Sequence, residues 1–269
     1  MVELIAILIG ALALLVAVVW LIGARERVYA IAADPAWFVA WRGEGAPKLA
    51  PGVRVKWQSQ SDFAFIGATE AHWSRFMIIT SEGANASPID VSGAQDAFVA
   101  RVRLLTPPHL VLGLLRTLTT LGVLSKPKGE IARDAENLGL RAELMPSSQA
   151  IAKLLAQPQS YAPSMVNFLG YYTRAKRAEG SGAAAYRRYG MVAMRTVYRT
   201  GGALLFYGRV EEVLHKAKAG PTLGPWDEVA AMRYPNPTAI LSMEHAPDYR
   251  AALHHRDAGL ERTVVISSS

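Results

Sequence analysis

The densest group of ionisable side chains in this 269-residue chain is Glu244, His245, His254, His255 and Asp257. Imidazole beside carboxylate is the pairing that moves protons or holds metals. On one continuous helix His245 and His254 stand nine positions apart, about 180° around an axis of 3.6 residues per turn. They then face opposite ways and share no metal, so no metal and no cofactor is expected. An ordinary surface or interface is the competing account of the group. The chain has no Walker lysine loop, dinucleotide glycine fingerprint, nucleophile elbow, His-Glu-x-x-His or cysteine, which closes the usual sequence routes to an enzyme.

The second chemical signal is positive charge. Between Arg174 and Arg199 lie seven cations (Arg174, Lys176, Arg177, Arg187, Arg188, Arg195, Arg199) and one acid, Glu179. Arg188, Arg195 and Arg199 are spaced i, i+7 and i+11, one stripe of a helix. The stripe and Arg187 suit an anionic surface, each contact with headgroups being worth about 1 kcal/mol. A merely solvated face is the alternative. With no groove-reading module in the sequence, nucleic acid is not an expected partner. The whole chain carries 29 Lys+Arg against 22 Asp+Glu and is 51% hydrophobic, which excludes a disordered chain and a disulfide scaffold.

What holds these residues near an anionic surface is read from the start of the chain. Residues 4–23, LIAILIGALALLVAVVWLIG, contain no charged side chain. As a helix they span about 30 Å, the thickness of a bilayer's hydrocarbon core. A cleaved signal peptide has an apolar region of only about 7–15 residues and a basic leader, whereas Met1-Val2-Glu3 is not basic; Ala30-Ile31-Ala32 resembles a cleavage site but lies well past the run. Arg25 and Arg27 follow the run and Glu3 precedes it, so the positive-inside rule puts the rest of the chain in the cytoplasm, on a single-pass bacterial inner-membrane anchor. Five of the six tryptophans fall within the first 73 residues, Trp20 at the end of the span. Asp34-Pro35 reads as a cap opening a short helix with Trp37, Phe38 and Trp41, lying on headgroups or packed in a core.

Beyond residue 43 the expected order is a linker to 60, a strand near 53–58, strands at 76–80 and 97–105, a leucine-rich helix at 109–121, and a polar excursion at 126–137. The C-terminal part is clearer: strand 164–172, helix 183–199 ended by Gly201-Gly202, strand 203–209, loop 210–225, strand 226–234, helix 237–253 and strand 262–267. That β-α-β-β-α-β order is ferredoxin-like, in an α+β protein. Met145-Pro146-Ser147-Ser148-Gln149-Ala150-Ile151 echoes Tyr234-Pro235-Asn236-Pro237-Thr238-Ala239-Ile240, which points to a degenerate first copy between about 53 and 160, or to chance. The expected division is an anchor at 1–28, a juxtamembrane segment and linker at 29–60, a first α+β domain at 61–160 and a second at 161–269.

At Gly201-Gly202, Tyr207-Gly208-Arg209, Trp226-Asp227, Arg233-Tyr234-Pro235-Asn236, Ala246-Pro247-Asp248-Tyr249 and His255-Arg256, the chain resembles the dimeric α+β barrel superfamily, specifically the domain of unknown function 1330. The resemblance covers about residues 164–267. It implies two four-stranded units closing into a barrel, from two chains or from two halves of one. It also implies that a bound small molecule occupies the cleft between sheet and helices, lined by Tyr186, Tyr189, Tyr207, Trp226 and His245; plain core packing is the alternative for these aromatics. Two functions follow as expectations. The first is a membrane-anchored, non-catalytic binding or assembly protein that partners lipid, itself or another membrane protein. The second is a cofactor-poor monooxygenase or isomerase with His245, Tyr207 and Trp226 as its catalytic candidates.

Overall fold

A computed structural model describes residues 2–26, 35–45, 47–83, 88–127 and 140–269. Arg27, the Ala30-Ile31-Ala32 triplet, Asp34 and most of the 126–137 excursion lie outside the described residues. Helix α1, Val2–Ala24, is almost wholly apolar. Among the described residues it is the one helix long and apolar enough to cross a membrane, over Glu3–Ala24.

The rest is mixed α+β around one closed, antiparallel barrel. Its strands are β1 (Ala36–Arg42), β3 (Val53–Ile66), β4 (Arg75–Ser81), β6 (Asp96–Leu104), β7 (Ser164–Tyr171), β8 (Ala203–His215), β9 (Glu228–Arg233) and β10 (Leu260–Ser268). Around the barrel they run β1-β4-β3-β10-β7-β9-β8-β6, and β6 pairs back to β1. The strands of the first half are therefore contiguous, as are those of the second. A separate two-stranded sheet of β2 (Lys48–Leu49) and β5 (Ile89–Asp90) packs on the outside of the barrel. The expected division at residue 60 falls inside β3.

Side chains alternate across each strand, and on β1 both faces are buried. Phe38, Phe76, Phe98, Phe168 and Phe206 fill the barrel with Trp57, Trp73 and Trp226. Ring centroids lie 5.4 Å apart for Phe38 and Phe168 and 6.1 Å apart for Phe38 and Phe76, within the range of favourable aromatic pairs. On the outside, Trp37, Val39 and Trp41 pack with Ile79, Ile89 and Val99. The aromatics expected on a helix after Asp34 are thus on strand β1, Phe38 facing in and the two tryptophans out. A strand covered on both sides is apolar at every position, so its sequence loses the alternation that would separate it from a helix.

Helices α3 (Ser148–Leu155), α4 (Gly182–Arg199), α5 (Pro237–Leu241) and α6 (Pro247–Gly259) contribute to the core outside β3, β7, β9 and β10. The expected helix 237–253 is interrupted by a 3-10 turn at Ser242–His245 and by Ala246, whose backbone is extended. Pro247 is the cause: it lacks an N–H and forces the residue before it out of the helical region. The echo helices α3 and α5 are both side-chain capped, Ser147 accepting from Ala150 N at 3.1 Å and Asn236 from Ala239 N at 3.0 Å. They are not equivalent in the fold, since α3 lies between β6 and β7 and α5 between β9 and β10. Strand β8 runs on to His215 through pairing with β6, so the expected 210–225 loop begins only after it.

Helix α2, His109–Thr120, matches the expected leucine helix and packs against the end of α1. Gly23 and Gly113 permit the contact. A Cβ on Gly113 would sit 1.8 Å from Val19 O, and one on Gly23 1.7 Å from His109 O. Arg116 donates to both carboxylate oxygens of Glu26, at 2.7 and 2.9 Å, and to Gly202 O at 3.1 Å. Those bonds to Glu26 hold the guanidinium above its ordinary pKa, against the opposing effect of burial.

Candidate ligand cleft

The outer face of β7, β8, β9 and β10 does not meet α4 and α6 directly everywhere. Between them is a cleft of about 430 Å³. Helix α4 is positioned at both ends. Ser181 accepts from Ala184 N at 3.2 Å to cap its start, and Gly182 passes so close to Tyr172 O and Gly259 O that a Cβ would lie 2.3 and 2.5 Å from them. Gly201, with φ of +86°, reverses the chain after its end.

The lining is apolar and pliable. Met145, Met165, Met191, Met194, Met232 and Met243 all line it, six of the chain's eight methionines. Unbranched thioethers adapt to irregular ligands. Gly190 also lines the cleft, and a Cβ there meets nothing within 4 Å.

The polar groups are few. Tyr207, on the wall, and Tyr171 beside it both donate to the carboxylate of Glu228, which is 3% exposed; Arg209 Nε lies 3.8 Å from its other oxygen. Tyr189 and Tyr249 are hydroxyl to hydroxyl at 3.0 Å. Burial, reinforced by neighbouring phenols and Glu228, raises the pKa of Tyr171, Tyr186 and Tyr207 far above the usual tyrosine range. They stay protonated at neutral pH, and Tyr171 and Tyr207 are the donors to Glu228. Arg256 lines the cleft while 8% exposed, and it has no carboxylate within salt-bridge distance among the described residues; its Nη1 donates to Leu144 O. Glu244 also lines the cleft, its pKa raised by burial in spite of Arg250 and Arg256.

Of the five residues expected at the cleft, Tyr186, Tyr189 and Tyr207 line it. Trp226 does not: it fills the barrel interior, its Nε1 donating to Thr222 O at 2.7 Å. His245 is not a lining residue either. It ends the 3-10 turn before Pro247, with Nε2 buried and unpartnered. The group around it is also dispersed. His254 and His255 stack at 3.9 Å, Asp257 accepts from Arg141 Nε at 3.0 Å, and no metal-holding cluster occurs among the described residues.

The cationic stripe is partly spent within the fold. Arg195 and Arg199 both bind Asp248 at the start of α6, the latter at 3.1 Å, and Arg199 Nε donates to Ser125 O at 2.9 Å. Arg187 and Arg188 remain exposed, Arg187 at the edge of the cleft.

No protein-family profile matches the chain, and no curated protein is significantly similar to it. The chain is similar to two solved structures. One is a protein of unknown function from Rhodopseudomonas palustris, RPA0582, at 31% identity over 45% of this chain and 92% of that one, with a TM-score of 0.40. The other is methylated RPA0582, at 30% identity over 45% and 90%, with a TM-score of 0.40.

The sequence reading missed a second constellation. Arg42 Nη1 lies 2.8 Å from His72 Nδ1, and His72 Nε2 lies 2.8 Å from Asp96 Oδ2. An arginine only donates, so Nδ1 is the acceptor and Nε2–H donates to the carboxylate. Asp96 also accepts from the amides of Ala97, Lys218 and Ala219 at 2.8–3.1 Å. No hydroxyl is bonded to His72 among the described residues. The triplet straps the 216–225 loop to the barrel, where Thr222 also receives the Trp73 Nε1 bond at 3.1 Å.

Proposed function

We propose that this is a single-pass, membrane-anchored binding protein whose α+β barrel domain holds a small amphipathic molecule, one with an apolar body and a compact acidic end, and does not transform it. The observation that carries this reading is the methionine-rich cleft, lined also by the buried Arg256, which among the described residues has no carboxylate within salt-bridge distance. A guanidinium of that kind suits a carboxylate or phosphate, and the walls suit an acyl or ring system. Two ferredoxin-like units in tandem supply the frame. In each half the strands run in the spatial order fourth, first, third, second, which favours a duplicated unit whose first copy starts at β1 and, among the described residues, has no helix between its strands.

Anchor retention is supported by the docking of Gly23 and Glu26 on α2, contacts that cleavage would remove. Arg25 beside the span favours a cytoplasmic domain on an inner membrane. A catalytic reading keeps Tyr207, hydrogen-bonded to Glu228, but loses His245 and Trp226 from the cleft.

The test is saturable binding of a fluorescent fatty acid, dansyl-undecanoic acid, by the full chain in detergent. Gly190→Phe projects a ring into open space and is expected to weaken binding tenfold or more, about 1.4 kcal/mol. Absence of saturable binding by the unaltered protein, or equal affinity in the variant, refutes the reading.

A further inference from the structure

Helix α2 has an unusual surface for a helix facing water. Leu112 and Gly113 are buried, yet Leu110, Val111 and Leu114 are 41–48% exposed, and Leu121 and Val123 beyond its end are more exposed still. Its sequence, HLVLGLLRTLTT, contains one arginine and no acid, and that arginine, Arg116, is engaged by Glu26. The exposed side of α2 therefore presents leucine and valine, with Thr120 at its end bonded back to Arg116 O, and no free charge. What lies beside it is α1. Trp20 meets His109 edge to face with ring centroids 5.5 Å apart, and Gly23 packs on Gly113. Trp20 is four residues before the end of α1 at Ala24, so the first turn of α2 sits about 6 Å back along the apolar helix from that end.

The lining of the cleft reaches this pair. Leu105, Thr106 and Pro107 line it, and α2 begins two residues later; Pro107 and Leu110 are at most about 11 Å apart at their Cα atoms. Among the other lining residues, Met191 is 68% exposed and Arg187, one turn earlier on α4, is exposed. An apolar entrance edged by a cation suits the boundary between acyl chains and headgroups.

We infer that α2 lies in the membrane as an interfacial helix beside the end of α1, and that the cleft opens onto the bilayer and takes its ligand from it, a lipid with an acyl or isoprenoid chain, rather than from water. The inference rests on the anchored, ligand-binding reading. Lipid is the occupant that continues the apolar surface of α1 without a break, and a helix with this asymmetry gains from the interface what it loses in water.

The absence of cysteine allows a clean test on the full chain. Single cysteines at Val111 and Leu114, and at exposed Glu212 as a reference, are labelled with nitrobenzoxadiazole in phosphatidylcholine–phosphatidylglycerol vesicles containing doxyl lipids. The first two labels are expected to be quenched by the doxyl lipids and shielded from iodide, and the Glu212 label the reverse. In a second arm, the double variant Leu110→Glu, Leu114→Glu is expected to take dansyl-undecanoic acid from vesicles about tenfold more slowly, the kinetic equivalent of one lost interfacial contact of about 1.4 kcal/mol, with its affinity in detergent unchanged. Labels at Val111 and Leu114 that behave like Glu212, or uptake at the unaltered rate, overturn the inference. Failure of the unaltered protein to bind in detergent overturns the ligand reading instead, while the labelling arm still decides where α2 lies.

Discussion

Replacing Asp96 by alanine is expected to destabilise the folded domain by about 3–5 kcal/mol, the loss typical of removing one partner from a buried charged network. The carboxylate is 4% exposed and accepts from His72 Nε2 and from three backbone amides. Alanine leaves all four donors without their acceptor, in a place too buried for water to replace it freely. Lys218 and Ala219 would lose their tie to the barrel, and with them the loop carrying Thr222. Denaturant unfolding of the full chain in detergent measures the loss; a change under 1 kcal/mol would show that the strap is dispensable.

The pH dependence has a definite sign. Burial works against the Asp96 charge, but the hydrogen bonds from Lys218, His72, Ala219 and Ala97 outweigh it and hold the folded-state pKa below the ordinary value of 3.8. The contribution is therefore fully present above that ordinary value and is lost as pH falls through the lower, folded one. The stability gap between the unaltered protein and Asp96→Asn should narrow as pH falls below about 4.

No sequence pattern announces that strap. Arg42, His72 and Asp96 are separated by 30 and 24 residues, and only the pairing of β1 with β4 and β6 brings Arg42 and Asp96 beside the segment before β4 that carries His72. What was legible depended on one-sided burial. The 97–105 run alternates Phe98, Val102 and Leu104 with Arg101 and Arg103 because those arginines face solvent, and the α2 leucines keep helical spacing because the helix is covered on one side. Strand β1 was opaque because both its faces are buried. The extension of β8 to His215 was opaque for another reason: its partner β6 belongs to the other half of the chain, and local composition does not record distant pairing. The cleft was legible in part. Tyr186 and Tyr189 were assigned to it through the resemblance to the α+β barrel superfamily, since aromatics at their spacing on α4 fit plain core equally well. His245 was misplaced because a continuous helix was drawn through Ala246-Pro247, where the proline starts a new one. Glu228 follows Trp226-Asp227 directly, yet its role depends on Tyr171 from a neighbouring strand.

Two glycine substitutions of the same kind are expected to act with opposite sign. In a helix interior glycine costs roughly 0.5–1 kcal/mol relative to alanine through backbone entropy, so propensity alone predicts that alanine stabilises at both Gly113 and Gly190. At Gly190 the new methyl meets open space, and a gain of about 0.5–1 kcal/mol is expected. At Gly113 the methyl lands 1.8 Å from Val19 O, with Gly23 N at 2.9 Å. Those atoms are backbone, so no rotamer change relieves the overlap and α1 must move away. The bidentate Glu26–Arg116 pair and the Trp20–His109 contact move with it. A net loss of about 2–3 kcal/mol follows from overpacking and the broken contacts. Amide hydrogen exchange of the 109–120 peptide in detergent should accelerate in Gly113→Ala and stay unchanged in Gly190→Ala. If Gly113→Ala instead stabilises the protein and slows exchange, the close crossing of α1 and α2 is refuted. The position of α2 at the end of the apolar helix falls with it, because the Glu26–Arg116 and Trp20–His109 contacts form only where the two helices cross that closely.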